Sequence, residues 1–332
     1  MIKKFPHQNL LFFFSVLLIG FFYQYHKIFF LRPREIHQWR QTDCLSITSN
    51  YYSGGMRFFD PEIHMQFSDE QTSGKTAGEF PGLYYMVAGL WKIFGPHEFI
   101  YRITGFIFIL FGLFALFRIL TGLLNDTLFA LTLTLIIFTS PVIANYGISF
   151  LTDVPALCLV FAGWYFFYRF YIKGKIMFLW LSMFFFMAGG LLKTSSLFSF
   201  FLCAAIFIFE QLPFSALKTK KIFSRPLLMS LSFIIVIAAI TAWYIYAGYY
   251  NNLHGGRYTF NSIWPIWTMN EQQLDGYLTA LRKVVLVQVF SPLMWLVIAA
   301  SAVIFIIRFK SFPLLSRLSV IILFTGLLIY SV

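Results

Sequence analysis

The chain has 332 residues, of which 59% are hydrophobic, 21% aromatic and 11% charged, and its net charge is +12. Soluble domains carry about 25% charged residues, so a water-covered globule is excluded. The Lys and Arg residues sit in short clusters between apolar windows, which excludes a soluble nucleic-acid-binding face and fits the loops of a membrane protein.

The apolar windows fall at roughly 9–30, 98–122, 127–147, 154–172, 176–192, 195–212, 228–249, 285–308 and 314–332. Each approaches the ~20 residues needed to cross a hydrocarbon core of about 30 Å. The expected fold is therefore all-α, a polytopic transmembrane helical bundle of about nine spans, read as one domain over 1–332. The first window begins after Lys3 and Lys4, has no small-residue cleavage site and is too long for a removed signal peptide, so it reads as a retained span. The last window runs up to Val332, as expected of a truncated or unusually short member of its class. Cys44, Cys158 and Cys203 form no disulfide pattern and read as small apolar fillers.

A further apolar stretch, 81–95, decides the sidedness of everything after it. It is too short for a span, begins at Pro81 and carries Lys92. If it lies on the surface and Lys3 and Lys4 are cytoplasmic, then Arg118, Arg169, Lys173, Lys175, Lys218, Lys220, Lys221, Arg225, Arg308, Lys310 and Arg317 all fall inside, as the positive-inside rule requires. If it crossed, those clusters would all lie outside. The expected topology has a cytoplasmic N-terminus, a large first outer loop at 31–97 with interfacial helices at 39–52 and 81–95, and a second long outer loop at 250–284.

The first outer loop holds seven of the thirteen acids: Glu35, Asp43, Asp60, Glu62, Asp69, Glu70 and Glu79. Three acids of the chain stand out, two in this loop and one beyond it. Asp43 follows WRQT and reads either as the cap of the helix it precedes or as a general base or metal ligand, with Glu35 the competing acid across Trp39. Glu79, before Phe80 and Pro81, is again a capping place or a site acid. Asp153, in FLTDVPAL at the mouth of a span, reads as an N-cap or as a carboxylate placed for proton transfer or a cation. Arg40, Arg102, Lys193 and Arg257 are candidates to hold a phosphate, against the plain alternative of snorkelling anchors. His37, His64, His97 and His254 lack metal-ligand spacing, and no metal residue is assigned. Acids from two loops are able to share a divalent cation through oxygen ligands, but the sequence requires no cofactor. The aromatic residues read as lipid-facing bulk and interfacial belt and define no sugar platform, although Trp264 and Trp267 in the second outer loop could serve as one.

The order of a span, an outer loop with an acid and WRQ, then EFPGLYYMVAGLWKIFGPHEFIYRITG and FLTDVPAL resembles the polyprenyl-phosphate-sugar-dependent glycosyltransferases of the GT-C fold. Within them it is most similar to the bacterial branch related to protein mannosyltransferases and lipid A aminoarabinose transferases. The resemblance covers roughly residues 1–200, and 201–332 agrees in hydropathy alone. It implies an integral protein of the bacterial plasma (inner) membrane that moves a sugar, with inversion, from a polyprenyl-phosphate carrier to a lipid, glycan or protein acceptor at the outer face. It also implies that the first-loop acid is the base and that Asp153 matches the second acid. Glu79 to Tyr85 matches the surface helix bordering the carrier phosphate, and Arg102 the arginine after it. His37, Gln41 and Tyr84 join the substrate-binding set on the same ground. Many relatives carry an Asp-Glu pair where this chain reads HQWRQTD, which leaves Asp43 or Glu35 as the base; Asp43 directly precedes the interfacial helix and is favoured.

Two other classes remain. A polymerase or ligase of lipid-linked glycans would use a similar outer loop with a diphosphate-linked donor. A lipid or solute transporter would place ionisable groups within spans and show half-to-half symmetry; the spans here are nearly free of acids, Glu210 excepted, and no such symmetry appears.

Overall fold

The structure is a computed structural model and describes residues 7–34, 37–212, 222–256, 266–283, 292–311, 317 and 320. Glu35, Arg257, Trp264 and nearly all of the apolar window 314–332 lie outside the described residues. The described chain is all-α apart from two isolated β-bridges, Glu62 to Lys75 and Ser68 to Ser73. Its helices are α1 (Gln8–Phe22), α2 (Tyr25–Ile28), α3 (Gln38–Ser53), α4 (Gly82–Phe94), α5 (Glu98–Leu124), α6 (Thr127–Phe138), α7 (Pro141–Tyr146), α8 (Asp153–Lys173), α9 (Ile176–Leu192), α10 (Leu197–Gln211), α11 (Pro226–His254), α12 (Glu271–Lys283) and α13 (Pro292–Ile307).

By length and composition, α5, α8, the segment 194–211 and α11 are able to cross a membrane, and α1, α6, α9 and 295–307 are shorter apolar helices. Two predicted spans are interrupted. The window 9–30 breaks at Gln24, whose φ of 58° is left-handed and ends the helical run. The window 127–147 breaks at Thr139 and Ser140, because Pro141 has no N–H to give and disfavours helical geometry in the residue before it.

The chain divides into two compact units. The first comprises 1–139, 143–197 and 231–261 and carries the polar loops. In it α8 packs against α5 and α9, and α3 against α4. The helices α3 and α4 contribute Cys44, Ile47, Tyr51, Leu83, Tyr84, Val87 and Trp91 to one core, together with Tyr101 of α5 and Ala156 and Leu159 of α8. A second core joins Phe12 and Val16 of α1 to Ile109, Leu113 and Phe117 of α5 and to Phe138 of α6.

The α5–α8 contact depends on a missing side chain. A Cβ added at Gly112 would stand 2.4 Å from Cys158 Cβ and 2.5 Å from its Cα, neither of which can rotate away. Gly112→Ala should therefore force the two helices apart, at the ~1–3 kcal/mol typical of overpacking. The expected result is a lowered thermal midpoint in nanodiscs; an unchanged midpoint would show that the helices do not meet this closely.

Between α3 and α4 the chain runs as an irregular loop, 54–81, turned at Asp69, Glu70 and Gln71, all left-handed with φ of 49°, 60° and 71°. One face of α11 holds it. Trp243 Nε1 donates to Gly78 O at 3.0 Å and the Tyr250 hydroxyl to Asp60 Oδ1 at 2.6 Å. Asn251 bonds both backbone groups of Ala77 at 2.8 Å, and His254 Nδ1 lies 2.9 Å from Asp69 Oδ1.

The second unit comprises 140–142, 198–230 and 262–332. Here the buried Glu210 carboxylate accepts from the backbone N–H groups of Ile222 and Phe223, each at 2.9 Å. Helix α12 opens with a reciprocal cap, Gln273 N to Asn270 Oδ1 at 2.8 Å and Asn270 N to Gln273 Oε1 at 3.0 Å.

Candidate active site

Arg40 is the centre of the site. It lies two residues into α3, on the inward face that continues through Cys44 and Ile47, so the helix carries a guanidinium into the interior. Such a charge must be paired to be tolerated there. Nη1 bonds Asp153 Oδ2 at 3.0 Å, and Nη2 bonds Glu79 Oε2 at 3.1 Å. Burial alone would lower the arginine's pKa, but Glu79 and Asp153 outweigh it and carry the value up. Arg40 is thus a permanent cation.

Glu79 is saturated with donors. Its Oε1 accepts the Tyr84 hydroxyl at 2.5 Å, and its Oε2 accepts Thr152 Oγ1 at 3.0 Å as well as Arg40. Behind Tyr84, Cys44 Sγ is 3.2 Å from the phenol oxygen. Burial pushes both the Cys44 thiol and the Tyr84 hydroxyl upward, so both stay protonated and the network ends in neutral groups.

Asp153 is the first residue of α8, where the helix N-terminus favours a negative charge. Neither it nor Thr152 makes a side-chain cap bond. Its second oxygen, Oδ1, faces Lys193 Nζ at 3.2 Å. Lys193 closes α9, so an acid that opens one helix meets a cation that ends the next. The four charges form a chain, Glu79–Arg40–Asp153–Lys193, that is neutral overall. Arg40 is its most buried member, its side chain 11% exposed against 20% for Glu79, and Asp153 and Lys193 are the more open end at 31% and 30%.

Asp43 stands outside this chain. It is buried within α3 rather than at its start, so it does not cap the helix. Burial raises its pKa, and His64 opposes that rise. Among the described residues its carboxylate makes no ion pair within 4.0 Å. Arg102 has a different setting: Nε and Nη2 donate to Leu31 O and Arg32 O at 3.0 and 3.1 Å, Nη1 donates to Ile148 O at 2.5 Å, and the guanidinium lies over the Phe150 ring. It ties the start of the first loop to the segment that leads into Asp153. A cavity of about 80 Å³ opens beside it, lined by Arg34, Gln41, Tyr146, Ser149 and Leu151 among others. Gln41 Nε2 donates to Arg34 O at 3.1 Å. His37 precedes α3 in a left-handed conformation, with its ring 5.9 Å from that of Tyr146.

Of the sequence candidates, the structure brings Arg40, Glu79, Tyr84, Asp153 and Lys193 into one network. Asp43, His37, Gln41 and Arg102 surround it without joining it through the contacts above, and Glu35 and Arg257 are not described. Trp267 is 74% exposed in a short 3-10 turn. Sequence reasoning missed Cys44 and Thr152; adjacency to Asp153 was the only signal for Thr152, and Cys44 had only its place one turn after Arg40. Among the described residues no three His, Cys, Asp or Glu side chains converge as a metal site.

A helical membrane protein with a buried, charge-balanced cluster where loops meet helix ends is the class that the fold and site define. Residues 78–247, just over half of the chain, match the family described as dolichyl-phosphate-mannose-protein mannosyltransferase. No curated protein and no solved structure matched. The chain belongs to this family, of GT-C type, and is thereby a membrane glycosyltransferase that uses a lipid-linked sugar. The matched segment contains Glu79, Tyr84, Arg102, Asp153 and Lys193 but begins after Arg40 and Asp43.

Proposed function

We propose that the chain transfers a sugar from a polyprenyl-phosphate carrier to an acceptor hydroxyl at the outer face of a bacterial plasma membrane, with inversion. Asp43 takes the hydroxyl proton as the acceptor oxygen bonds to the anomeric carbon. The carbon–oxygen bond to phosphate breaks on the opposite face, and the carrier leaves as its phosphate anion. One observation carries the assignment of roles: the acids experience opposite environments. Both oxygens of Asp153 are engaged by cations, Arg40 and Lys193, whereas Asp43 makes no ion pair among the described residues and burial raises its pKa, which suits it to take a proton. Lys193, the more accessible of the two cations in the chain, is the group to meet the leaving phosphate. Arg40 and Glu79 hold Asp153 and Lys193 in place. The topology in this reading has nine spans with α3 and α4 at the outer interface, supported by the basic loops that then fall inside.

The test is transfer by the purified protein in bilayers, given radiolabelled polyprenyl-phosphate sugars and a bacterial membrane extract as acceptor pool. Label should pass to a new product with wild type and drop to background with Asp153→Asn. If wild type transfers only from diphosphate-linked oligosaccharides, the ligase reading replaces this one. If it moves a lipid across the bilayer without transfer, a transporter does.

A further inference from the structure

Helix α12 has two unlike faces. Its sequence, EQQLDGYLTALRK, spaces Leu274, Tyr277, Leu278 and Leu281 at i, i+3, i+4 and i+7, so the four form one stripe about 100° wide. Gln272, Gly276, Thr279 and Lys283 fall on the opposite face. No residue of the helix is buried, and Leu278 and Leu281 are 49% and 38% exposed. The polar face is open as well, because a Cβ added at Gly276 would meet nothing within 4 Å. The helix is supported from within instead. Asn270 and Gln273 cap its start, Glu271 lies in the first turn, and Arg282 and Lys283 lie in the last, as the helix dipole favours.

Something apolar must cover such a stripe, and α12 cannot find it by crossing the membrane. Its 13 residues rise only about 20 Å against a core of about 30 Å, and Glu271, Asp275, Arg282 and Lys283 are charged. Lipid is nevertheless close at hand. The apolar helix α13 begins at Pro292, nine positions after Lys283, and its Leu293, Leu296, Ile306 and Ile307 are 68–77% exposed, a surface made for acyl chains. A connection of that length reaches about 30 Å at most, so the basic end of α12 stays near a lipid-facing element. Trp267, 74% exposed in the 3-10 turn just before α12, is of the type that gathers at membrane–water interfaces. Arg282 stands one turn after Leu278 at the edge of the stripe, and Lys283 follows it; both carry the charge that anionic headgroups attract. We propose that α12 is a membrane-surface helix: its stripe lies at the boundary of headgroups and acyl chains, and Arg282 and Lys283 hold its C-terminal end to anionic lipid. This placement is independent of which reaction the chain catalyses.

The experiment attaches a nitroxide to single cysteines introduced into the full chain in nanodiscs, Leu278→Cys and Leu281→Cys on the stripe, Gln272→Cys and Thr279→Cys opposite. Cys44, Cys158 and Cys203 are buried, and wild type treated with the same label gives the background. Collisions with dissolved oxygen, which concentrates among acyl chains, are compared with collisions with a water-soluble nickel chelate. The oxygen-to-nickel ratio should be severalfold higher at the two stripe positions than at the two opposite ones. It should rise further at position 278 when anionic lipid replaces part of a zwitterionic bilayer, and Arg282→Gln with Lys283→Gln should remove that rise. Equal ratios on the two faces would put α12 in water and overturn the proposal. Stripe labels shielded from both probes would overturn it too, since protein would then cover the leucines. In discs holding one copy each the oxygen contact should persist. A contact that appears only in discs with two copies, with dipolar broadening between the labels, would make the stripe an interface between copies instead.

Discussion

Arg40→Met should cost about 3 kcal/mol of stability, the lower end of what breaking a buried ion pair costs. The lower end applies because Glu79 and Asp153 are 20% and 31% exposed and Lys193 still pairs with Asp153. The larger share falls on Glu79, which would keep only the neutral donors Tyr84 and Thr152. Sugar transfer should be lost as well, since Asp153 would then be held from one side alone. Denaturant midpoints in nanodiscs provide the check, completed by Glu79→Met and the double variant. The double variant should be more stable than the sum of the single losses implies, with a coupling on the order of 1–3 kcal/mol. Independent, additive losses would mean that Arg40 and Glu79 are neighbours without being partners.

The second large effect concerns Asp43. Asp43→Asn should reduce turnover by about a hundred- to ten-thousand-fold, the usual worth of a general base, while donor binding persists. Its stability should move the other way. Burial raises the pKa of Asp43 above the ordinary 3.8, which means that the fold disfavours the ionised form. Between the unfolded and folded pKa values the folded chain therefore binds more protons, and this group's contribution to stability declines as pH rises through that window. At neutral pH the uncharged Asn relieves that penalty, so the variant should unfold at an equal or higher midpoint than wild type. The base must be ionised to act, so the acid limb of kcat/KM should also lie above the ordinary carboxylate value. An Asp43→Asn enzyme with retained turnover would pass the role of base to another acid, Glu35 being the nearest in sequence.

Why the spans were legible and the site only in part follows from the reach of each signal. Hydropathy is a sum over neighbours in sequence, so α5, α8, α9 and α11 could be read within a few residues of their ends. The break at Pro141 had a sequence signal, whereas Gln24 is an ordinary residue in a left-handed conformation and gave none. Arg40, Glu79, Asp153 and Lys193 could each be named, because charged groups among apolar segments stand out. Their mutual contacts could not be read, because Arg40 and Asp153 are 113 positions apart and meet only through the register of α3 against α8. The setting of Arg102 is equally hidden: a buried guanidinium that serves carbonyls and one that awaits a phosphate look the same in sequence. The grip of α11 on the first loop was invisible for the same reason, since Trp243, Tyr250 and Asn251 are residues that an apolar span tolerates without comment.

That grip joins residues 165 to 190 positions apart, as in Trp243 to Gly78 and Tyr250 to Asp60. A ribosome adds about 5–20 residues per second, so the loop emerges roughly eight to forty seconds before the helix that holds it. During that interval Asp60, Asp69 and the Ala77 backbone must be served by water or by a chaperone, and the arm bearing Glu79 lacks its α11 brace. The charge cluster around Arg40 is therefore a late product of biogenesis, its Glu79 arm secured only when α11 has been made and inserted. A chain stopped before Trp243 would be expected to insert its earlier helices and leave 57–78 open to protease, whereas one stopped after His254 should protect it.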